Sequence, residues 1–205
     1  MRAVKVKICG LTRPADVEVV LASGADAIGV VFAESPRRVT ADKAVELLAG
    51  VPREVKKVGL FMRQERSEIM AILRRVPLDL LQFHGPADND FCRSFGLPFL
   101  KAIGVATDRA VEDAKRYPDA AGILFDSAAA DGAGGTGQTF DWSFLCAIEQ
   151  AMWLAGGLNP GNVAEAVERV RPDWVDVSSG VEDAPGVKNA ARIRAFVRAA
   201  KLVAL

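Results

Sequence analysis

A chain of 205 residues that is half apolar and a quarter charged has the makings of one soluble domain with a sizeable core. Its 26 basic residues are matched by 26 acidic ones, so no nucleic-acid partner is expected, and no polybasic stretch marks a membrane surface. Three cysteines, Cys9, Cys92 and Cys146, lack metal-ligand or CxxC spacing, and their odd number argues against a disulfide framework. A reducing cytoplasm is the expected compartment. The charged N-terminal run MRAVKVKICG leads into no secretory apolar region, and apolar stretches such as 27–33 are far too short to span a bilayer.

Along the chain, short β-type runs alternate with amphipathic helical patterns. Strands are expected over residues 4–9, 27–32, 57–61, 78–83, 99–103, 122–126, 152–155 and 174–177. Helices are expected over 13–23, 41–49, 64–75, 87–95, 108–116, 142–147, 160–170 and 187–202. Thr12 is the expected N-cap of the first helix, with Pro14 near its first position. Eight β-then-α units with no linker imply a parallel sheet. An open doubly wound sheet usually has fewer strands, so the α/β class narrows to a single-domain (β/α)8 TIM barrel over residues 1–205. The loosest segment is the Ala- and Gly-rich stretch 127–138.

Strand parity then places the polar side chains. In the first strand Val4, Val6 and Ile8 share the face that meets the helices, and Lys5, Lys7 and Cys9 point into the barrel. Inward lysines require polar partners or solvent. In the fourth strand Gln82 and His84 share one parity; in the sixth, Gly122, Leu124 and Asp126 align; in the eighth, Asp176 and Ser178 face away from Val175 and Val177. Cys9, His84, Asp126 and Asp176 therefore converge on the C-terminal mouth of the barrel, where such enzymes carry their sites, and a one-residue slip would reverse each assignment.

Three glycine clusters follow late strands: GAGGTG at 132–137, AGGLNP at 155–160 and SSGVE at 178–182. Each reads either as a tight turn or as a backbone cradle for an anion. The second and third occupy the loops after the seventh and eighth strands, the frequent phosphate site of barrels, which favours phosphate. The first matches a dinucleotide fingerprint only by accident, since no acid follows at ribose-binding distance. It also fails as a nucleotide-hydrolysis loop, because Gln138 stands where the lysine is needed.

The segments KICGLTRPAD (7–16), SPRR (35–38), VGLF (58–61), LLQFHG (80–85), FDS, GGTG and FDW (within 125–142), LAGGLNPGNV (154–163) and VDVSSGVEDAPGVKN (175–189) run in order across the chain. Together they resemble the phosphoribosylanthranilate isomerase family. The resemblance implies an Amadori rearrangement of a phosphorylated small-molecule substrate in tryptophan biosynthesis, with no cofactor and no metal. It implies Cys9 as general base and Asp126 as general acid. Arg37 is similar to the family arginine that meets the anthranilate moiety, with Lys7, His84 and Asp176 as further substrate-binding positions. The amides of Gly156, Gly157, Ser179 and Gly180 look like the phosphate cradle. Two departures stand out: Arg38 follows Arg37 where an aromatic residue is usual, and Met62–Arg63 replaces a polar pair. A monomer is expected rather than a dimer.

Each residue also has a plainer reading. A lone cysteine is more often packing than catalysis. Asp176 can simply hold Lys5 or Lys7, and His84 can be a structural hydrogen-bonder. A base at Cys9 needs thiolate, for which Lys7 is the candidate cation. Another barrel enzyme acting on a phosphorylated sugar would share the fold and the glycine loops, and a non-catalytic sugar-phosphate binder would keep the loops without needing an acid and a base that face each other.

Overall fold

Runs of β-branched and aromatic residues, each bounded by turn residues, set the strands. These are β1 (Lys5–Ile8), β2 (Ala27–Val31), β3 (Lys56–Met62), β4 (Leu80–His84), β5 (Phe99–Gly104), β6 (Gly122–Asp126), β7 (Ala151–Leu154) and β8 (Trp174–Val177). The computed structural model describes residues 3–105, 109–126 and 150–203. The helices α1 (Pro14–Ala22), α2 (Ala41–Leu48), α3 (Arg66–Leu73), α4 (Asn89–Arg93), α5 (Ala110–Ala114) and α6 (Val163–Val170) lie between strands, and α7 (Ala190–Leu202) follows the last. The expected helix at 142–147, with Trp142 and Cys146, and the loop at 127–138 lie outside the described residues.

The eight strands form one closed parallel barrel in sequence order, sealed where β8 pairs with β1. Alternation sorts the side chains into two layers. Val6, Ile8, Ile28, Val30, Phe61, Leu81, Phe83, Phe99, Ile123, Phe125, Val175 and Val177 belong to the core between barrel and helices. Ala27, Val58, Leu80, Leu100, Ala102, Leu124, Trp153 and Ala155 form a second cluster that fills the lumen. Trp153 stacks on Trp174 with ring centroids 4.1 Å apart, and Lys5 sits 5.1 Å from the Trp174 centroid. Lys5 thus resolves its inward position by resting on an aromatic face at the end of the barrel where the strands begin.

Most boundaries shift by a residue or two, and three helix starts depart from expectation for an identifiable local reason. Arg13, not Thr12, precedes α1 as its N-cap, because Pro14 takes the first helical position and holds Arg13 extended. Thr12 instead donates its hydroxyl to Gly186 O at 2.6 Å. Helix α6 starts at Val163 rather than 160, since Asn159 Oδ1 accepts the Gly161 amide in a turn of its own. The last helix starts at Ala190, capped by Asn189 Oδ1 on the Arg192 amide, and Val187–Lys188 belongs to a hairpin. That hairpin pairs β9 (Glu182–Ala184) with β10 (Val187–Lys188) across a turn containing Gly186 at φ 79°. No helix among the described residues is long and apolar enough to cross a membrane.

The tight lumen gives a stability contrast. A Cβ at Gly122 would lie 2.7 Å from Trp153 Nε1 and 2.8 Å from Ala151 O. Gly122→Ala is therefore expected to cost about 1–3 kcal/mol by overpacking. Gly24 sits at φ 78° with nothing within 4 Å, so Gly24→Ala should cost only the left-handed strain, about 1–2 kcal/mol. Urea midpoints of the two variants check this. Activity should persist in Gly24→Ala.

Candidate active site

The C-terminal mouth of the barrel holds a cavity of about 510 Å³. That is ample for a sugar phosphate carrying an aromatic ring. Cys9, Arg37, His84, Asp126, Gly156, Gly157, Asp176, Ser179 and Gly180 all line it. Of the expected site residues only Lys7 does not line it. The structure therefore brings together strand ends from β1, β4, β6 and β8 with the loops after β2, β7 and β8.

Beneath the cavity lies a buried ionic network. Lys7 is fully buried, and its ammonium donates to Asp176 Oδ2 at 2.7 Å and to Gln82 Oε1 at 2.8 Å. The two ends come from opposite sides of the barrel, so the contacts cross the lumen. Burial works to lower the Lys7 pKa, but Asp176 and then Cys9 outweigh it and hold it above its ordinary value. Asp176 Oδ1 is buried without a hydrogen-bond partner among the described residues, while the residue itself lines the cavity. An unsatisfied buried acceptor calls for a donor.

An ammonium can only donate, so Lys7 fixes the amide of Gln82: its oxygen faces Lys7 and its nitrogen faces His84. Gln82 Nε2 and His84 Nε2 are 2.7 Å apart. His84 Nε2 must then accept, leaving the proton on Nδ1. The electrostatics agree, since burial, followed by Lys7 and Lys101, lowers the His84 pKa to about 3. His84 enters the site as a neutral ring.

Cys9 departs from expectation in one respect. Lys7 and Lys188 pull its pKa down, but burial is the larger effect and pushes the thiol above its ordinary value. Gly29 makes room for the sulfur, since a Cβ there would lie 2.8 Å from Cys9 Sγ and 3.0 Å from Lys7 Cε. The other cysteine described, Cys92, is buried, and burial raises it to about 11.

The glycine loops are shaped by contact. Gly156 and Gly157 have φ of 82° and 63°. A Cβ at Gly180 would lie 1.9 Å from Leu158 O, so the loops after β7 and β8 touch at a point only glycine fits. Among the described residues, none of the turn and loop hydrogen bonds uses the amide of Gly156, Gly157, Ser179 or Gly180 as donor. Asn162 and Asn159 donate to Gly157 O at 3.0 Å and 3.3 Å and hold that loop in shape.

Arg37 lines the cavity, whereas Arg38 is exposed and does not. Arg37 is held by Glu182, with Nε to Oε1 at 2.8 Å and Nη2 to Oε2 at 2.6 Å. Glu182, its second partner Lys188, and Gln82 are site components that the sequence reading did not single out as functional. Glu182 falls at the end of the SSGVE cluster, Lys188 in the start of the expected last helix, and Gln82 is read only as a parity mate of His84. An inward polar residue one pleat below a mouth residue was the available signal for Gln82.

His84 is the chain's single histidine, so its titration can be followed without assignment. Its ring nitrogens should report a neutral imidazole by NMR from pH 7 down to pH 5, with a midpoint near 3 rather than 6.5. Because the folded value is depressed, the stability it lends is full above about pH 6.5 and is lost as pH falls toward 3. Acid unfolding across that window should be shallower in His84→Asn than in the parent.

Comparison with known proteins follows the same outline. Residues 6–199 match the family model described as N-(5'phosphoribosyl)anthranilate (PRA) isomerase. An N-(5'-phosphoribosyl)anthranilate isomerase of Pseudomonas aeruginosa is 50% identical over 204 residues, covering 98% of this chain and 97% of its own length. The enzyme of that name from Hahella chejuensis is 47% identical over 96% of this chain and 93% of its own. The crystal structure of phosphoribosyl anthranilate isomerase from Thermotoga maritima superposes with a TM-score of 0.90 at 38% identity, covering 98% of this chain and 100% of that one. A phosphoribosyl anthranilate isomerase in complex with reduced 1-(o-carboxyphenylamino)-1-deoxyribulose 5-phosphate superposes with a TM-score of 0.86 at 36% identity, covering 98% of this chain and 100% of that one.

Proposed function

The chain belongs to the N-(5'-phosphoribosyl)anthranilate isomerase family, and we propose that it performs the family's Amadori rearrangement with Cys9 as general base and Asp126 as general acid. The reaction converts N-(5-phosphoribosyl)anthranilate to 1-(2-carboxyphenylamino)-1-deoxyribulose 5-phosphate, an aldose-to-ketose isomerisation of tryptophan biosynthesis. The observation that carries the residue assignment is that Cys9 and Asp126 line one cavity together with an arginine and a double-glycine loop.

In this reading the phosphate sits against the amides of Gly156, Gly157, Ser179 and Gly180, and the anthranilate carboxylate meets Arg37. Asp126 protonates the ring oxygen, the C1–O bond breaks, and the anthranilate nitrogen lone pair forms a protonated Schiff base. The Cys9 thiolate removes the C2 proton. Those electrons form the C1–C2 double bond and return the iminium pair to nitrogen. The enolamine then takes a proton at C1 and loses its hydroxyl proton to give the ketone. Asp176 Oδ1, an acceptor with no donor among the described residues, suits a sugar hydroxyl. His84 offers Nδ1–H to the substrate as a neutral donor. Lys7 acts from below, on Cys9 and Asp176, rather than on the substrate.

One domain over residues 1–205 carries all of these groups, and a cytoplasmic location suits its biosynthetic role. The working form is a monomer. Among the described residues Val45 and Leu202 are the exposed large hydrophobics, which do not make an extended apolar face. Light scattering should return a mass near 21.9 kDa, and a value near twice that would exclude the monomer.

Cys9→Ser and Asp126→Asn should each lower kcat/KM by about 10²–10⁴-fold, with the folded state intact by circular dichroism. Because burial raises the Cys9 thiol, thiolate is the minor form at neutral pH. Single-turnover rates should therefore climb about tenfold per unit between pH 7 and 8. Lys7→Met should push the break in that profile further alkaline. Full turnover in both acid–base variants would exclude the assignment.

A further inference from the structure

One glutamate organises the positive end of the cavity. Glu182 opens β9 directly after the 3-10 turn Ser179–Val181, and its side chain is 4% exposed. Its Oε1 accepts from Arg37 Nε at 2.8 Å, from Lys188 Nζ at 2.7 Å and from the Gly186 amide at 3.3 Å. Its Oε2 accepts from Arg37 Nη2 at 2.6 Å. Burial alone would raise the carboxyl pKa, but Arg37 and Lys188 hold it below the ordinary range, so it stays ionised.

The two cations are used differently. Lys188 also donates to Ser178 O at 3.0 Å and to Ser178 Oγ at 3.3 Å, which with Glu182 occupies all three of its protons. Arg37 gives Glu182 only its side edge, Nε and Nη2. Its end edge, made by Nη1 and the second Nη2 proton, has no hydrogen bond among the described residues. Arg37 lines the cavity, and Glu182 does not. Two cations and one anion leave the cluster with a net positive charge. A planar fork with one open edge matches a planar carboxylate in two parallel bonds.

The frame around this pair is rigid. The stem of Arg37 lies on Gly10, where a Cβ would be 2.5 Å from Arg37 Cδ. The hairpin bearing Glu182 and Lys188 is tied to the loop after β1. Thr12 Oγ1 donates to Gly186 O at 2.6 Å, Arg13 Nη2 to Lys188 O at 3.0 Å, and the Lys188 amide to Asp16 Oδ2 at 3.3 Å. Arg192 donates to Glu182 O from α7. Glu182 is thereby fixed relative to the strand end that carries Cys9.

We propose that Glu182 is the positioning residue for substrate specificity: by occupying the side edge of Arg37 it aims the open edge at the anthranilate carboxylate, a role that rests on assigning that carboxylate to Arg37. Without the glutamate the arginine keeps its charge but loses its direction. The lost orientation appears in recognition of the carboxylate and not in the proton transfers at Cys9 and Asp126.

Two inhibitors test this: reduced 1-(2-carboxyphenylamino)-1-deoxyribulose 5-phosphate and its phenylamino counterpart without the carboxylate. Arg37→Ala should weaken the first by roughly 10²-fold and the second by less than about threefold, as expected for a charge-assisted contact. If both ligands weaken alike, the assignment of the carboxylate to Arg37 is wrong and the role of Glu182 falls with it. Glu182→Gln should raise KM and weaken the carboxylate inhibitor about tenfold, with kcat changed less than about threefold. On the Arg37→Ala background the same change should add nothing. Glu182→Asp keeps the charge for Lys188 but is one methylene too short for the fork, so it should show the same selective loss if Glu182→Gln does not fold. Equal weakening of both inhibitors by the Glu182 variants, or losses that multiply with Arg37→Ala, would overturn the proposal in favour of a purely structural hairpin contact.

Discussion

The ion pair between Lys7 and Asp176 sits where the barrel closes. The two residues are register partners on β1 and β8, the strands that join the first and last units. Burying both charges is costly, and a well-packed apolar pair would often be no less stable. The fold keeps them because each charge has a second task. Lys7 stands under Cys9 and orients Gln82, which in turn fixes the tautomer of His84. Asp176 offers Lys7 one oxygen, and its other oxygen has no hydrogen-bond partner among the described residues. A single buried pair, directly below the Cys9 thiol, thus fixes the Gln82 amide and, through it, the tautomer of His84.

A second constraint is close approach of backbone. At Gly10, Gly29 and Gly180 a Cβ would meet atoms of the site itself: the Arg37 stem, the Cys9 sulfur and the Leu158 carbonyl. These glycines let large functional groups share a narrow mouth. On the outer side of the barrel, Lys101 plays a comparable structural part. It donates to Gly85 O at 2.6 Å and Ala87 O at 3.0 Å, and so pins the loop after His84 from behind. Burial lowers the Lys101 pKa despite those contacts. The hairpin of β9 and β10 does similar work from above, because Thr12, Arg13 and Asp16 of the first motif hold it down. That motif combines the cavity-lining Cys9 with anchorage three to seven residues later.

Much of this was legible in the residues. The alternation of β and α runs located every barrel strand to within two residues at each end, because strands buried on both faces are written as short apolar runs between amphipathic helical patterns. The parity of Cys9, His84, Asp126 and Asp176 placed them on one mouth, because side chains alternate along a strand. The helix starts were less legible. Thr12 has the right chemistry for a cap, but Pro14 moved the boundary and a tertiary partner took the hydroxyl. Val187 and Lys188 have helix-compatible side chains, yet the turn at Gly186 folds them back against β9. Lys7 shows the limit most plainly. Its inward direction followed from parity, but its net effect on Cys9 depended on how deeply the sulfur is buried, and burial outweighs the cation.

The order of apolar, polar and glycine residues wrote out by itself the eight β-then-α units and the side chains at each strand end, because these follow from local patterning, while closure into a barrel came with the pairing of β8 and β1. Tertiary structure alone decided which cation meets which anion: Lys7 with Asp176, and Arg37 with Glu182 across 145 positions of chain. Pairings of that kind depend on how far a loop reaches and how much water is excluded, and neither quantity is written in the spacing of residues along one strand.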